Sequence, residues 1–187
     1  MVVDIVPVGS VPAEVKREAS DALKSVYDCD VRVRESQSIP SGAYNAGREQ
    51  YRAEDFIQLA RRVGTGDKNI AITSKDLYYH RRNYVFGLAY LDGEGSVIST
   101  YRLREEAAAA DGGSTSAEGL SDDGFASRDP GDVFSDRVRK EVIHEIGHTM
   151  GLEHCSNNRC VMSFSPTVRE VDVKEENLCG SCQREVL

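Results

Sequence analysis

The sequence predicts an α/β (α+β) fold in which helices pack on a mixed, twisted sheet. An opening strand-helix-strand pattern and a later β-hairpin signal predict the sheet, and an amphipathic helix followed by a cysteine-rich end completes the chain. At 187 residues the chain has the size of one domain, which buries about two-thirds of its surface on folding. Its 40% hydrophobic and 29% charged residues are typical of a globular protein.

The first third of the chain alternates strand and helix. Residues 2–9 (VVDIVPVG) are a β-rich run that ends at a Pro/Gly signal. Residues 12–28 carry apolar side chains at helical spacing, with proline near the first turn. The following CDVRVRES alternates valine with arginine, as a strand does. This order predicts a parallel crossover unit.

The middle of the chain continues the sheet. Residues 53–64 predict a short helix that begins with acidic residues and ends at glycine, and residues 69–77 predict a strand. Within residues 84–103, two apolar runs flank DGEG, which predicts a hairpin. We expect its second arm, residues 95–103, to be an edge strand with which a peptide substrate pairs.

An acidic segment lies between residues 105 and 133. It holds eight acidic residues and a single base, Arg128, among many glycines, serines and alanines. This composition predicts a solvated surface insertion ahead of the next helix. A substrate-repelling loop and a calcium-binding loop are the alternatives, although the D-x-D-x-D-G spacing of calcium loops is missing.

Charge and hydropathy exclude several classes of protein. The net charge of −8 argues against nucleic-acid and anionic-membrane binding, because phosphate contacts need a basic face. The N-terminus lacks a basic region, and Asp4 and Pro7 interrupt its apolar run, so neither a signal peptide nor a membrane span is predicted. We expect a cytoplasmic protein and a monomer.

Residues 141–162, EVIHEIGHTMGLEHCSNNRCVM, carry the most informative pattern. The apolar spacing predicts a helix over residues 134–150. Within it His144 and His148 lie on one face, about 6 Å apart along the axis, so both imidazoles can reach one ion. Glu145 flanks that face, where its carboxylate can touch a metal-bound water.

A third histidine follows the helix. If the helix continued, His154 would lie about 9 Å beyond His148, too far to share an ion whose Zn–N bonds are about 2.0–2.1 Å. Gly151 stands where a left-handed residue would end the helix and turn His154 back. Three imidazoles leave the fourth zinc position to water, and Glu145 would take its proton and pass it to a leaving amine. The pattern predicts peptide hydrolysis.

Four cysteines form two pairs directly after this segment. Cys155 and Cys160 give C-x4-C, and Cys179 and Cys182 give C-x2-C. In a reducing compartment this spacing predicts a closed tetrahedral site, a structural zinc held by four thiolates. Two disulfides are the alternative. Because one peptide bond joins His154 to Cys155, folding of the C-terminal part should help to fix the third histidine.

The stretch from His144 to His154 is the H-E-x-x-H-x-x-G-x-x-H motif of metzincin peptidases. With the cysteine pairs and Met162 it resembles the archaemetzincins, a family of zinc peptidases, over about 39 residues. The resemblance implies a metzincin-type fold, a catalytic zinc on the three histidines, Glu145 as general base and a structural zinc on the four cysteines. It also implies that Met162 is the Met-turn residue below the imidazoles. Some metzincins carry a tyrosine ligand where this chain has Phe164, which cannot coordinate.

We therefore expect one metallopeptidase domain over residues 1–187 with two zinc ions. Residues 1–150 would form a subdomain with the active-site helix, and residues 151–187 a smaller subdomain clamped by the structural zinc. A peptide or protein substrate would bind in the cleft between them. A two-zinc protein that binds peptides with little catalysis, and an amidase acting on other amides, are the alternatives. Cys29 is expected to be a buried thiol, and His80 to lie outside both metal sites.

Overall fold

A mixed sheet forms the centre of the computed structural model, which describes residues 1–105 and 129–186. The strands are β1 (Val2–Val8), β2 (Asp30–Val33), β3 (Tyr44–Asn45), β4 (Gln50–Arg52), β5 (Lys68–Thr73), β6 (Leu77–Tyr78), β7 (Gly87–Ala89) and β8 (Gly95–Ser99). The helices are α1 (Ala13–Tyr27), α2 (Ala53–Val63), α3 (Pro130–Thr149), α4 (Val168–Val173) and α5 (Gly180–Val186), with a 3-10 turn at Arg102–Arg104.

The main sheet has the strand order β2-β1-β5-β8-β7, and a small second sheet has the order β3-β4-β6. In the main sheet, β1 runs parallel to β2 and β5, and β5 runs parallel to β8. The predicted parallel crossover through α1 is therefore confirmed. The antiparallel pairing of β7 with β8 also confirms the predicted hairpin.

Helices cover both faces of the main sheet. On one face, Val3 and Ile5 of β1 belong to an apolar cluster with α1 and α3. On the other face, Val6 and Val8 of β1 pack with α2. Both faces of β1 are apolar because a central parallel strand is buried on both sides. The mixed α/β architecture agrees with the prediction, and it sets α3 firmly on the sheet.

The helix that carries the histidines begins earlier than predicted. It starts at Pro130, four residues before the expected position, and the Asp129 side chain accepts a hydrogen bond of 2.8 Å from the Gly131 amide. An aspartate N-cap followed by proline is a favourable helix start. This start was missed because both residues were assigned to the acidic insertion. The rest of the predicted acidic insertion, residues 106–128, lies outside the described residues.

The expected edge strand was assigned to the wrong arm of the hairpin. Strand β8 lies between β5 and β7, and all five of its residues are buried. Of the two hairpin arms, β7 is the one at the edge of the main sheet, and residues 102–104 form a 3-10 turn. Local sequence predicts a hairpin but does not say which arm pairs with the rest of the sheet, and this caused the error.

Among the described residues, no helix is long and apolar enough to cross a membrane. The division into subdomains at residue 150 stays a prediction.

Candidate metal centre and active site

The turn at Gly151 brings the third histidine back to the active-site helix α3. Gly151 has a left-handed φ of 95°. Its amide donates to the His148 carbonyl at 3.0 Å, and the Leu152 amide donates to the Gly147 carbonyl at 3.1 Å. This pair of bonds is a Schellman motif, which ends a helix and reverses the chain. The predicted reversal at Gly151 is confirmed.

The three predicted histidines converge. The Nε2 atoms of His144 and His148 are 3.0 Å apart, and the His154 ring centroid lies 5.4 and 4.8 Å from those of His144 and His148. One nitrogen from each ring falls within 4.8 Å of the others. Tetrahedral zinc with bonds of about 2.0–2.1 Å needs nitrogens about 3.3 Å apart. Small rotations of the three side chains would bring these nitrogens to the distances that a zinc ion requires.

Backbone carbonyls orient two of the imidazoles. His144 Nδ1 donates to the Val161 carbonyl at 2.8 Å, and His148 Nδ1 donates to the Leu152 carbonyl at 2.6 Å. Because a carbonyl can only accept, each Nε2 keeps its lone pair for a metal. Burial lowers the pKa of both histidines, for His144 well below the usual value, and also lowers the pKa of His154. The rings are held in the neutral form that binds metal.

Glu145 presents a buried carboxylate beside the histidines. Its residue is 4% exposed, and Oε2 has no hydrogen-bond partner among the described residues. Burial, followed by the nearby charge of Glu141, raises the pKa of Glu145 well above its usual value, while Lys174 lowers it. An unpartnered carboxylate oxygen in the wall of a cleft is well suited to accept a proton from a water or substrate that binds there.

Gly87 of β7 lies against the carboxylate of Glu145. A Cβ added at Gly87 would be 2.6 Å from Glu145 Cδ, closer than nonbonded carbon atoms approach. Strand β7 therefore passes the active-site helix so closely that a side chain at residue 87 would force the Glu145 side chain to move. No residue pattern in the sequence pointed to this glycine.

Replacing Gly87 with alanine is expected to displace Glu145 and lower kcat/KM by about 10- to 100-fold, because small misplacements of reacting groups are costly. The variant should still fold and bind zinc as the wild type does. Steady-state kinetics on a peptide substrate measures the effect, with Gly47→Ala as control, because Gly47 lies outside the cleft and an added Cβ there would come no closer than 3.4 Å to its nearest neighbour, Asn45 Oδ1. Equal rates for Gly87→Ala and the wild type would show that this contact does not position Glu145.

Met162 is buried against the active-site helix α3, and its role as the Met-turn residue stays a prediction. It is fully buried, and its Cε would be 3.0 Å from a Cβ added at Gly147, which lies between His144 and His148 on α3. The Cys155 amide donates to the Met162 carbonyl at 3.0 Å. The Met162 segment is thereby tied to the start of the cysteine cluster.

The four C-terminal cysteines also converge. Their Sγ atoms are separated by 3.8 Å from Cys155 to Cys179, 3.8 Å from Cys160 to Cys182, and 3.7 Å from Cys179 to Cys182. Tetrahedral zinc with Zn–S bonds of about 2.3 Å places sulfurs about 3.8 Å apart, whereas a disulfide needs about 2.05 Å. The spacing fits a four-thiolate metal site and does not fit the disulfide alternative.

The histidines lie in a cleft with a volume of about 700 Å³. One wall is formed by α3 and the other by Gly87, Leu88 and Ala89 of the edge strand β7. Phe164 also lines the cleft, with its ring centroid 5.1 Å from that of His154.

The two remaining candidate residues lie apart from these groups. His80 is exposed and stacks on Tyr79 at a centroid distance of 3.9 Å. Cys29 is 8% exposed, and burial raises the pKa of its thiol, which makes it unreactive. The expectation of a buried thiol at Cys29 is confirmed.

Two buried charged residues in the cleft wall were not predicted from the sequence. Glu141 is 3% exposed and Lys174 is 2% exposed, and both line the cleft. Glu141 precedes His144 by three positions, so helical spacing could have placed it on the same face. Lys174 lies among acidic residues in VDVKEEN, and that context gives no sign of burial.

A family model, curated relatives and solved structures that match this chain all belong to one family. The family model described as peptidase family M54 matches residues 38–187. The chain is 67% identical over 187 residues to the archaemetzincin of Natronomonas pharaonis and 68% identical over 187 residues to that of Haloarcula marismortui, with 100% of each chain covered. Among solved structures it is similar to the archaemetzincin of Methanopyrus kandleri, with a TM-score of 0.79, 32% identity, and coverage of 100% of this chain and 93% of that one. The archaemetzincin of Archaeoglobus fulgidus, solved with malonate, gives a TM-score of 0.77, 32% identity and 99% coverage of both chains.

Proposed function

Because the chain belongs to the archaemetzincins, the zinc metallopeptidases of family M54, we propose that it hydrolyses peptide bonds with Glu145 as the general base. The proposed ligands of the catalytic zinc are His144, His148 and His154. One observation carries the proposal: three imidazoles converge next to a buried carboxylate whose Oε2 has no hydrogen-bond partner among the described residues. A site that only bound metal would not need that carboxylate.

The proposed reaction divides its tasks among the residues of the cleft. Zinc, when bound, supplies a Lewis acid that polarises a carbonyl and lowers the pKa of water toward about 7. Glu145 accepts the proton of the attacking water and passes it to the leaving amine nitrogen. The edge of β7 that has no strand partner among the described residues holds the peptide in an extended form by backbone pairing. Gly87 lets that strand approach Glu145 closely.

A second, structural zinc is proposed on Cys155, Cys160, Cys179 and Cys182. The sulfur spacings support it. The backbone amide of Cys182, followed by that of Ser181, lowers the pKa of the Cys179 thiol to about 6, whereas burial raises the pKa of the Cys160 and Cys182 thiols. The spacings therefore carry this proposal. Such a site has no open position, so we assign it a role in folding.

The test of the function is zinc counting combined with digestion of a peptide library. Native mass spectrometry on the purified chain should give two zinc ions, and the library should be cleaved by this protein and spared when a chelator removes the histidine-bound ion. If two zinc ions are present and peptides bind without being cleaved, the alternative of a peptide-binding protein replaces the peptidase proposal.

Replacing Glu145 with glutamine is also expected to change the pH dependence of stability. A raised folded-state pKa means that the stabilising contribution of Glu145 is fully present below its usual value of 4.5 and is lost as the pH rises through the folded-state value. Glutamine does not titrate. The free energy of unfolding of the variant should therefore rise relative to that of the wild type as the pH increases. The difference should reach about 1–3 kcal/mol once the buried carboxylate ionises.

Thermal unfolding from pH 5 to 9 measures this difference, on protein with only the cysteine site filled. A difference in stability that stays constant over the whole range would contradict a raised pKa at Glu145.

The cytoplasmic location, the monomeric state, and the absence of nucleic-acid and membrane binding stay predictions. The natural substrate and the choice between trimming chain ends and cutting internally are open to the library experiment.

A further inference from the structure

A buried lysine lies next to the histidine site, in the wall of the cleft. Lys174 follows α4, and its side chain is 0% exposed. Its Nζ lies 3.1 Å from Glu141 Oε1 and donates to the carbonyls of Val161 at 3.2 Å and Ser163 at 3.4 Å. The two carbonyls accept hydrogen bonds from the ammonium group, and Glu141 Oε1 lies at ion-pair distance without the geometry of a hydrogen bond. The lysine is therefore held in one position.

One of these acceptors connects Lys174 to the metal site. The Val161 carbonyl that accepts from Lys174 also accepts from His144 Nδ1, at 2.8 Å. Ser163 follows Met162, so the two carbonyls bonded to Lys174 lie on either side of that methionine. Lys174 thus contacts the segment that orients His144. It also contacts Glu141, which lies on the same helix as His144.

Neighbouring contacts attach the same part of the chain to α3. Arg137 pairs with Asp172 at 2.7 Å, and Arg139 pairs with Glu176 at 2.6 Å. Lys140 donates to the Val171 carbonyl at 3.2 Å. Residues 171–176 are therefore fixed along α3 without Lys174, and general attachment does not require a lysine at position 174.

Stability alone does not explain a buried lysine here. Burying an ion pair is costly, and apolar residues of similar size often stabilise a protein as well or better. Lys174 pairs with Glu141, whose charge lies close to Glu145, and it bonds the carbonyl that sets the His144 ring. A role in the geometry of the metal site accounts for both contacts.

We propose that Lys174 is a positioning residue for the catalytic zinc, which holds the Val161 carbonyl against His144 Nδ1 and fixes Glu141 beside the active-site helix. The inference rests on the proposed function, because it assigns His144 as a zinc ligand. Groups that orient a metal-binding imidazole typically change metal affinity by about 10- to 100-fold when removed. The same range is expected for Lys174.

The test compares two buried lysines. Lys174→Met should weaken zinc binding at the histidine site by about 10- to 100-fold, while zinc stays on the cysteines. Lys140 is the matched control, because it is 4% exposed and bonds a backbone carbonyl of α4 but does not touch Val161 or Ser163. Lys140→Met should leave zinc affinity within about twofold of the wild type, and Lys174→Arg should restore part of the loss.

The affinities are measured by titrating zinc into protein that already carries one zinc per chain, as verified by native mass spectrometry. NMR of the His144 ring without catalytic zinc gives a second readout: the wild type should show one tautomer with the proton on Nδ1, and Lys174→Met a mixture. Should Lys174→Met fail to fold, Lys174→Met/Glu141→Leu removes both buried charges and should fold but still bind zinc weakly.

Wild-type zinc affinity in the Lys174 variants would overturn the proposal, as would an equal loss in Lys174→Met and Lys140→Met, which would indicate general destabilisation. Failure of the proposed function is seen separately. If the histidines do not bind zinc, the wild type itself takes up no second zinc ion, and both proposals fail. If the wild type binds two zinc ions but cleaves no peptide, only the proposed function fails, and the Lys174 comparison still tests the positioning role.

Discussion

Replacing Glu145 with glutamine is expected to lower kcat/KM by about 10²- to 10⁴-fold, the range for loss of a general base. Glutamine has nearly the same shape but cannot accept a proton from the attacking water. The histidines and the cleft should be unchanged, so zinc content and peptide binding should stay at wild-type values. The loss should appear in kcat, with KM nearly constant, because the proton transfer occurs only in the reaction step.

Glu153 provides the matched control for this variant. It lines the same cleft and is exposed, but it is not enclosed beside the histidines. Glu153→Gln should keep kcat within about threefold of the wild type, as expected for a solvated surface group. Comparable kcat values for Glu145→Gln and the wild type would remove Glu145 from the mechanism.

Replacing Cys160 with serine is expected to have the largest effect on folding. Cys160 is 1% exposed and lies 3.8 Å from Cys182 through sulfur. Binding of a structural zinc is worth about 10–16 kcal/mol in small zinc modules, and this energy serves as folding energy. Loss of one thiolate should release the zinc and unfold the segment around α4 and α5.

The damage should extend to the histidine site. Cys155 follows His154 directly, and its amide bonds the Met162 carbonyl at 3.0 Å. Zinc content should fall from two ions to one or fewer, peptide cleavage should be lost, and hydrogen exchange should accelerate over residues 155–186. Hydrogen-exchange mass spectrometry with zinc counting measures all of this.

Cys29→Ser is the control for cysteine chemistry as such. Cys29 is buried, but it lies next to β2, outside the four-cysteine group. Its replacement should cost modest stability and leave the zinc content unchanged. If Cys160→Ser kept two zinc ions and a protected C-terminal segment, the four-thiolate site would be wrong.

The sequence predicted those parts of the site that depend on local spacing. His144 and His148 share a helical face through the geometry of the helix alone, and only a reversal at Gly151 can bring His154 to them. The C-x4-C and C-x2-C spacings of the cysteine pairs are likewise visible in the sequence itself. These features need no knowledge of the sheet, and each was found where it was expected.

The features that were missed depend on contacts between distant segments. Which hairpin arm forms the sheet edge is decided by β5, which pairs with β8 rather than β7. The close approach of Gly87 to Glu145 requires the position of β7 over α3. Lys174 is buried only because Glu141 and the Val161 carbonyl surround it, and none of these neighbours is near it in sequence.

The central claim is that His144, His148 and His154 bind one zinc ion because the chain reverses at Gly151. A crystal structure of the zinc-loaded protein, with anomalous diffraction on both sides of the zinc edge, tests it most directly. We predict one zinc peak within about 2.0–2.1 Å of a nitrogen from each of the three rings. A zinc ion held by only two of these histidines, with His154 turned away, would contradict the claim.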